Sequence, residues 1–218
     1  MALAIFDLDN TLIAGDSDHA WGEFLVEKGV VDPAEYQQKN DYFYQQYQQG
    51  QMDIYEYINF AFSPLAANDI DQLNQWHQEF MREKIQPLFL PLSTALLERH
   101  RNQGDYLLII TSTNSFITAP ICKLLGVDDF IATEPEMENG QYTGKLQGIP
   151  SYREGKITRL NAWLKDNNMS LENSYGYSDS INDMPLLEHV DNPIVVDGDP
   201  ELIAEAQRRG WPCISLRE

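Results

Sequence analysis

The sequence predicts an α/β protein, a doubly wound parallel sheet interrupted by an all-helical insertion. Short, nearly continuous apolar runs at residues 3–6, 106–110 and 194–196, with a weaker one at 175–177, recur between helix-like stretches, as strands covered on both faces do. Between Ile13 and about Gln86 only helical periodicity is found. A chain of 218 residues is long enough for one large core with a smaller inserted unit. The expected division is a core of residues 1–13 and 87–218 and a helical unit of residues 14–86.

The first apolar run ends at Asp7. Trp21, Phe24, Leu25 and Lys28 then share one helical face, and Gly29 can close that helix in the left-handed conformation. Tyr36, Asn40, Phe43 and Tyr47 are spaced by four, three and four, so the Gln- and Tyr-rich tract before Gly50 reads as an amphipathic helix with a polar outer face. Asp53 with Glu56 three residues later forms a capping box for a helix carrying Ile54, Tyr57 and Ile58. Ile70, Leu73, Trp76, His77 and Phe80 predict another helix, with His77 a packed residue. Helices over 93–100 and 116–125 flank the second strand, with Gly104 and Gly126 as terminators. Asn139-Gly140 between Met137 and Tyr142 signals a hairpin turn. Lys156 follows Gly155 and precedes Ile157, Leu160 and Leu164, in the first turn of a helix; Asp199-Pro200 opens the last helix, which ends at Gly210.

Charge narrows the function classes. Thirty-four Asp and Glu against 15 Lys and Arg leave −19, a field that repels phosphate backbones and anionic lipid, so neither a nucleic acid nor a membrane surface is the expected partner. Nothing approaches the roughly 20 apolar residues of a membrane span. Residues 2–6 lack a basic leader and are too short for a signal-peptide core, which makes the cytoplasm the expected location. Cys122 and Cys213 stand far apart without CxxC spacing and read as reduced, small core residues.

Chemistry gathers at the strand ends. Asp7-Leu8-Asp9-Asn10-Thr11 delivers two carboxylates at the carboxyl edge of the first strand, where open α/β sheets bind ligands. Thr111-Ser112-Thr113-Asn114 brings hydroxyls and amides to the same edge after the second strand. Asp179 and Asp183, four apart at a strand-to-helix turn, can hold a hard cation. Two acidic clusters at separate strand ends repel unless a cation lies between them, and magnesium is the sensible one. Lys156 is oddly placed, since a helix N-terminus disfavours positive charge by a few tenths to about 1 kcal/mol; an anionic ligand offsets that.

In this order the motifs resemble the haloacid-dehalogenase-like (HAD) superfamily, in its phosphoserine-phosphatase-like branch, and the resemblance spans nearly the whole chain. It implies a Rossmann-like core with the helical insertion as a cap over the active site. It implies Asp7 as the nucleophile forming an aspartyl-phosphate, Asp9 as general acid and then base, and Thr111 and Lys156 on the phosphoryl oxygens, with Ser112 and Arg153 adding contacts. Mg2+ is implied at Asp7, the Asp9 backbone carbonyl and Asp179, with Asp183 supporting its water shell. Asp16, nine positions after Asp7, matches the acidic residue that recognises a substrate amine, although the family's usual residue there is glutamate. The implied function is an Mg2+-dependent phosphomonoesterase for a small phosphorylated metabolite, phosphoserine or histidinol phosphate. Phosphoryl transfer to another alcohol and non-catalytic sensing of a phosphorylated ligand stand as alternatives.

Overall fold

The computed structural model describes residues 2–217. Its main sheet has six parallel strands in the order β3-β2-β1-β6-β7-β8, formed by Leu3–Phe6 (β1), Tyr106–Asn114 (β2), Asp129–Thr133 (β3), Tyr175–Ser178 (β6), Asn192–Val196 (β7) and Cys213–Ile214 (β8). The chain steps outward from β1 through β2 to β3, then returns to pair β6 on the other side of β1. That reversal places a crevice at the carboxyl ends of β1 and β6.

Successive residues of β1 serve the two faces of the sheet. Ala4 and Phe6 enter one apolar cluster with Leu107, Ile109 and Tyr177, while Leu3 and Ile5 enter another with Leu108, Ile110, Leu160 and Leu164. Burial on both sides explains why these strands read as unbroken apolar runs. The helices over the sheet are Pro91–Gln103 (α6), Ser115–Leu125 (α7), Glu154–Asn167 (α8), Met184–Leu187 (α9) and Pro200–Arg209 (α10), and Gly104, Gly126 and Gly210 close three of them in the left-handed conformation.

Between β1 and β2 lie Ser17–Glu27 (α1), Pro33–Gln48 (α2), Ile54–Ala61 (α3), Ser63–Ala67 (α4) and Ile70–Phe80 (α5). Aspartates cap four of them: Asp16, Asp32, Asp53 and Asp69 each accept hydrogen bonds from first-turn amides. Trp21, Phe24, His77, Phe80 and Phe116 pack edge to face in their core, and the His77 ring nitrogen lies 3.1 Å from the Ile117 carbonyl. The hairpin of Pro135–Glu138 (β4) and Gln141–Leu146 (β5) turns at Asn139 and Gly140, both with positive φ. It packs on the helical segment, where a Cβ on Gly144 would meet Ala66 at 3.1 Å.

Three features differ from the sequence reading. Strands β3 and β8 were not expected, the first being a short mixed run and the second two residues at the sheet edge. Strand β2 runs four residues past its apolar segment, with a register irregularity after Ile110. Cys122 is buried as expected, but Cys213 lies on edge strand β8 and is exposed. Among the described residues no helix is long and apolar enough to cross a membrane.

Candidate active site

The crevice gathers Asp7, Asp9, Lys156, Asp179 and Asp183 from loops far apart in sequence. The Asp7 amide still donates to the Tyr177 carbonyl, so the nucleophile candidate stands on the sheet itself. The chain then tightens: the amides of Leu12 and Ile13 bond back to the Leu8 carbonyl and Asn10 takes φ of 58°. This turn sends Thr11 across to β6, where its hydroxyl donates to Asp179 Oδ1 at 2.9 Å and accepts from the Asp179 amide at 3.0 Å.

Lys156 is 1% exposed. Its ammonium lies 2.7 Å from Asp7 Oδ1 and 2.7 Å from Asp183 Oδ1, and Ser178 donates to Asp183 Oδ2 at 2.7 Å. Glycine at 155 lets the first turn of α8 approach this close, because a Cβ there would fall 2.1 Å from the Pro150 carbonyl oxygen. Burial disfavours the charged lysine, but Asp183 and Asp7 outweigh it and hold the ammonium above its ordinary range. Burial pushes the Asp7 carboxyl up to about 7 although Lys156 opposes it, with Asp183 and Asp9 adding repulsion. Asp179 is raised well above the usual carboxylate range by burial and by Asp7.

Asp9 accepts from the Ser17 amide at 2.6 Å and from the Thr113 hydroxyl at 2.9 Å, with Thr111 at 3.5 Å. Burial and the nearby Asp16 carboxylate raise it to about 7 against these bonds. A carboxyl poised near neutrality can both give and take a proton. Thr111 itself is buried and turned toward Asp9 and the Thr113 amide, whereas Ser112 and Thr113 line the open space.

That open space is a pocket of about 500 Å³ reaching from Asp7 and Asp9 into the helical segment. Asp16 lies on its wall as the N-cap of α1, where burial raises it to about 7. Arg153 does not line this pocket. Its guanidinium donates to the Gly50 carbonyl and, at 3.0 Å, to Asn182 Oδ1, while Asn182 in turn donates to the Tyr47 carbonyl at 2.9 Å. These bonds tie the Lys156 and Asp183 loops to the end of α2, and Arg153 adopts φ of 48° in doing so, a strained conformation for a side-chain-bearing residue. Arg82, just past the end of α5, pairs with Glu83 at the surface.

Asp7 and Asp179 offer hard carboxylate oxygens to a divalent cation, and without one they repel each other. No cluster of three or more His, Cys, Asp or Glu side chains suited to a metal occurs among the described residues. A pair of carboxylates suits a cation that takes one or two of them and keeps several waters. Sequence reasoning missed Thr11, Ser17 and Thr113 as partners of the acidic groups and Asn182 as the partner of Arg153 and Tyr47. Thr11, Thr113 and Asn182 sit inside the motifs already singled out; Ser17 adjoins Asp16.

The profile of the haloacid dehalogenase-like hydrolases (HAD) matches residues 4–188. A histidinol-phosphatase of Neisseria meningitidis serogroup C (strain 8013) is 47% identical over 219 residues, covering 99% of this chain and 99% of that protein. A crystal structure of a protein of unknown function from Bordetella pertussis Tohama I superimposes with a TM-score of 0.93 at 43% identity, over 99% of this chain and 98% of that one. A substrate-bound phosphoserine phosphatase shares the fold, with a TM-score of 0.74 at 16% identity over 100% of this chain and 94% of that one.

Proposed function

The chain belongs to the haloacid dehalogenase-like hydrolase family, in which it is a phosphoric monoester hydrolase, and we propose that it releases phosphate from a small amino-alcohol phosphate, foremost histidinol phosphate, in an Mg2+-dependent reaction. One observation carries the choice of substrate: no lysine or arginine lines the pocket that opens from Asp7, while Asp16 and Asp18 do. A substrate with a protonated amine and no carboxylate suits such walls. Phosphoserine would bring its carboxylate against these aspartates with no lysine or arginine to receive it, and the one histidine of the lining, His19, faces Glu23 and Asp41.

In this reading Asp7 Oδ2, the oxygen free of Lys156, attacks phosphorus and forms the aspartyl-phosphate. Asp9 gives its proton to the departing alkoxide, then takes one from the water that attacks phosphorus, breaks the bond to Asp7 and frees phosphate. Lys156, Ser112 and Thr113 face the phosphoryl oxygens, with Thr111 behind them holding Asp9. Asp7, the Asp9 carbonyl and Asp179 hold Mg2+, with Asp183 beside them. The bound cation supplies charge compensation between carboxylates and phosphate. Asn182 and Arg153, through Tyr47 and Gly50, keep the helical segment over the site as a cap. The test is phosphate release from histidinol phosphate by purified protein with Mg2+ and with EDTA. Mg2+-dependent release, with one free phosphate for each alcohol formed and no phosphorylated acceptor, is expected; no release by folded, Mg2+-loaded protein overturns the proposal.

Metal-free protein has a distinctive pH response. Asp7, Asp9, Asp16 and Asp18 titrate at about 7 in the fold instead of 3.8, and Asp179 is raised well above its ordinary value. Between about pH 4 and 7 the folded state therefore keeps protons that the unfolded chain has lost, and stability falls as pH rises through that window. Thermal unfolding in EDTA is expected at a lower Tm at about pH 7.5 than at about pH 5.5, with Mg2+ raising the Tm most at the higher pH. A Tm in EDTA that climbs across this window contradicts the site's electrostatics.

A further inference from the structure

Asp18 takes no part in the chemistry derived above, yet it lines the same pocket. It sits two residues after Asp16 in the first turn of α1, where a helix dipole alone accounts for an acidic residue. Its surroundings go further. The Tyr57 side chain from α3 lines the pocket beside it, and burial raises the Asp18 carboxyl to about 7. Beside it His19 stacks on Tyr44 with ring centroids 4.5 Å apart, and the His19 Nδ1 is buried with no hydrogen-bond partner. The His19 Nε2 faces Glu23 and Asp41 at 3.6 and 3.7 Å, so this ring does not neutralise the pocket carboxylates.

The two carboxylates stand differently in the pocket. Asp16 is within reach of the charges of both Asp7 and Asp9, whereas Asp18 feels Asp9 but not Asp7 and is the carboxylate that acts most on Tyr36 and Tyr57. Phe43, Met52 and Ile54 supply apolar wall in the same pocket. A single ammonium group pairs with one of the two carboxylates and leaves the other without a cationic partner.

We propose that Asp18, on the pocket wall it shares with Tyr57, is a specificity-determining residue that receives a second protonated nitrogen, carried on an aromatic ring at the end of the substrate away from the phosphate, while Asp16 receives the amine nearer the phosphate. This rests on the function proposed above and narrows it to phosphomonoesters bearing two separated basic nitrogens. The imidazole of histidinol phosphate fits both the charge and the aromatic and apolar walls.

The test compares wild type, Asp18→Asn, Tyr57→Phe and Asp16→Asn on three substrates: histidinol phosphate, phosphoethanolamine with its single amine, and p-nitrophenyl phosphate with none. Asparagine keeps the shape of Asp18 and removes its charge. Loss of one charge-assisted bond predicts that Asp18→Asn raises KM for histidinol phosphate by roughly 10- to 100-fold with kcat little changed. Phosphoethanolamine and p-nitrophenyl phosphate should move by less than about threefold, and Tyr57→Phe should show the same pattern, more weakly. Asp16→Asn should weaken both amines more than p-nitrophenyl phosphate, whose smaller loss reports the removal of the Asp16 charge from beside Asp9. A merely structural Asp18 lowers all three activities together, and that result, or no change in any, overturns the inference. If wild-type protein leaves histidinol phosphate intact, the proposed function falls and this inference with it; hydrolysis by wild type with an unselective Asp18→Asn overturns the inference alone.

Discussion

Asp7→Asn is expected to lower kcat by a factor on the order of 10⁴ or more and to leave the protein folded. The amide keeps the shape of the side chain and can still accept the Lys156 bond through its carbonyl oxygen, now 2.7 Å away in the wild type. What it loses is the anionic oxygen that attacks phosphorus. Stability should hold or rise, because Asp7 is a buried carboxyl whose ionisation the fold disfavours. Steady-state phosphate release and a thermal melt on the same preparation check both halves. Retained turnover in protein free of wild-type contamination removes Asp7 from the nucleophile's role; a collapsed fold means that its main work is structural.

Lys156→Met should lower both activity and stability. The ammonium is the one cation bonded to Asp7 and Asp183, all three almost wholly buried. Removing one member of a buried ionic network leaves uncompensated carboxylates and costs about 3–5 kcal/mol. Loss of its electrostatic help to the phosphoryl group should cost roughly 10²–10³-fold in rate. A companion variant separates the two effects. Lys156→Met with Asp183→Asn removes one of the stranded charges, so denaturant unfolding should recover much of the stability while activity stays low. Recovery of activity along with stability would assign Lys156 to the fold alone.

Much of this site was legible in the chain because it sits where local patterns are strongest. The strand at residues 3–6 is an unbroken apolar run that stops at Asp7, and a buried parallel strand must stop being apolar where it meets its ligand. Asp53 and Asp199 capped helices as their spacing indicated. The contacts that decide how the site works were not legible, since they join distant segments. Nothing near Lys156 in sequence reveals that it is buried; on its own it reads as a surface lysine, and only Asp7, 149 positions away, and Asp183 explain its burial. Asn182 meets Tyr47 across 135 positions. Arg153 reads as a free cation near the lysine, but its guanidinium is occupied by Gly50 and Asn182. Strand β8 escaped because two residues carry no period, and Cys213 was misjudged with it: hydrophobic character does not tell a covered strand from an edge.

The most direct measurement is the ratio of kcat/KM for histidinol phosphate to that for phosphoserine, taken on one Mg2+-loaded preparation. Both carry a phosphate and an amine; one adds a basic ring, the other a carboxylate. A pocket walled by Asp16 and Asp18 with no lysine or arginine predicts a preference for histidinol phosphate on the order of 10²-fold or more. Equal or better hydrolysis of phosphoserine contradicts the account, because the pocket would then have to accommodate a carboxylate for which its lining holds no lysine or arginine.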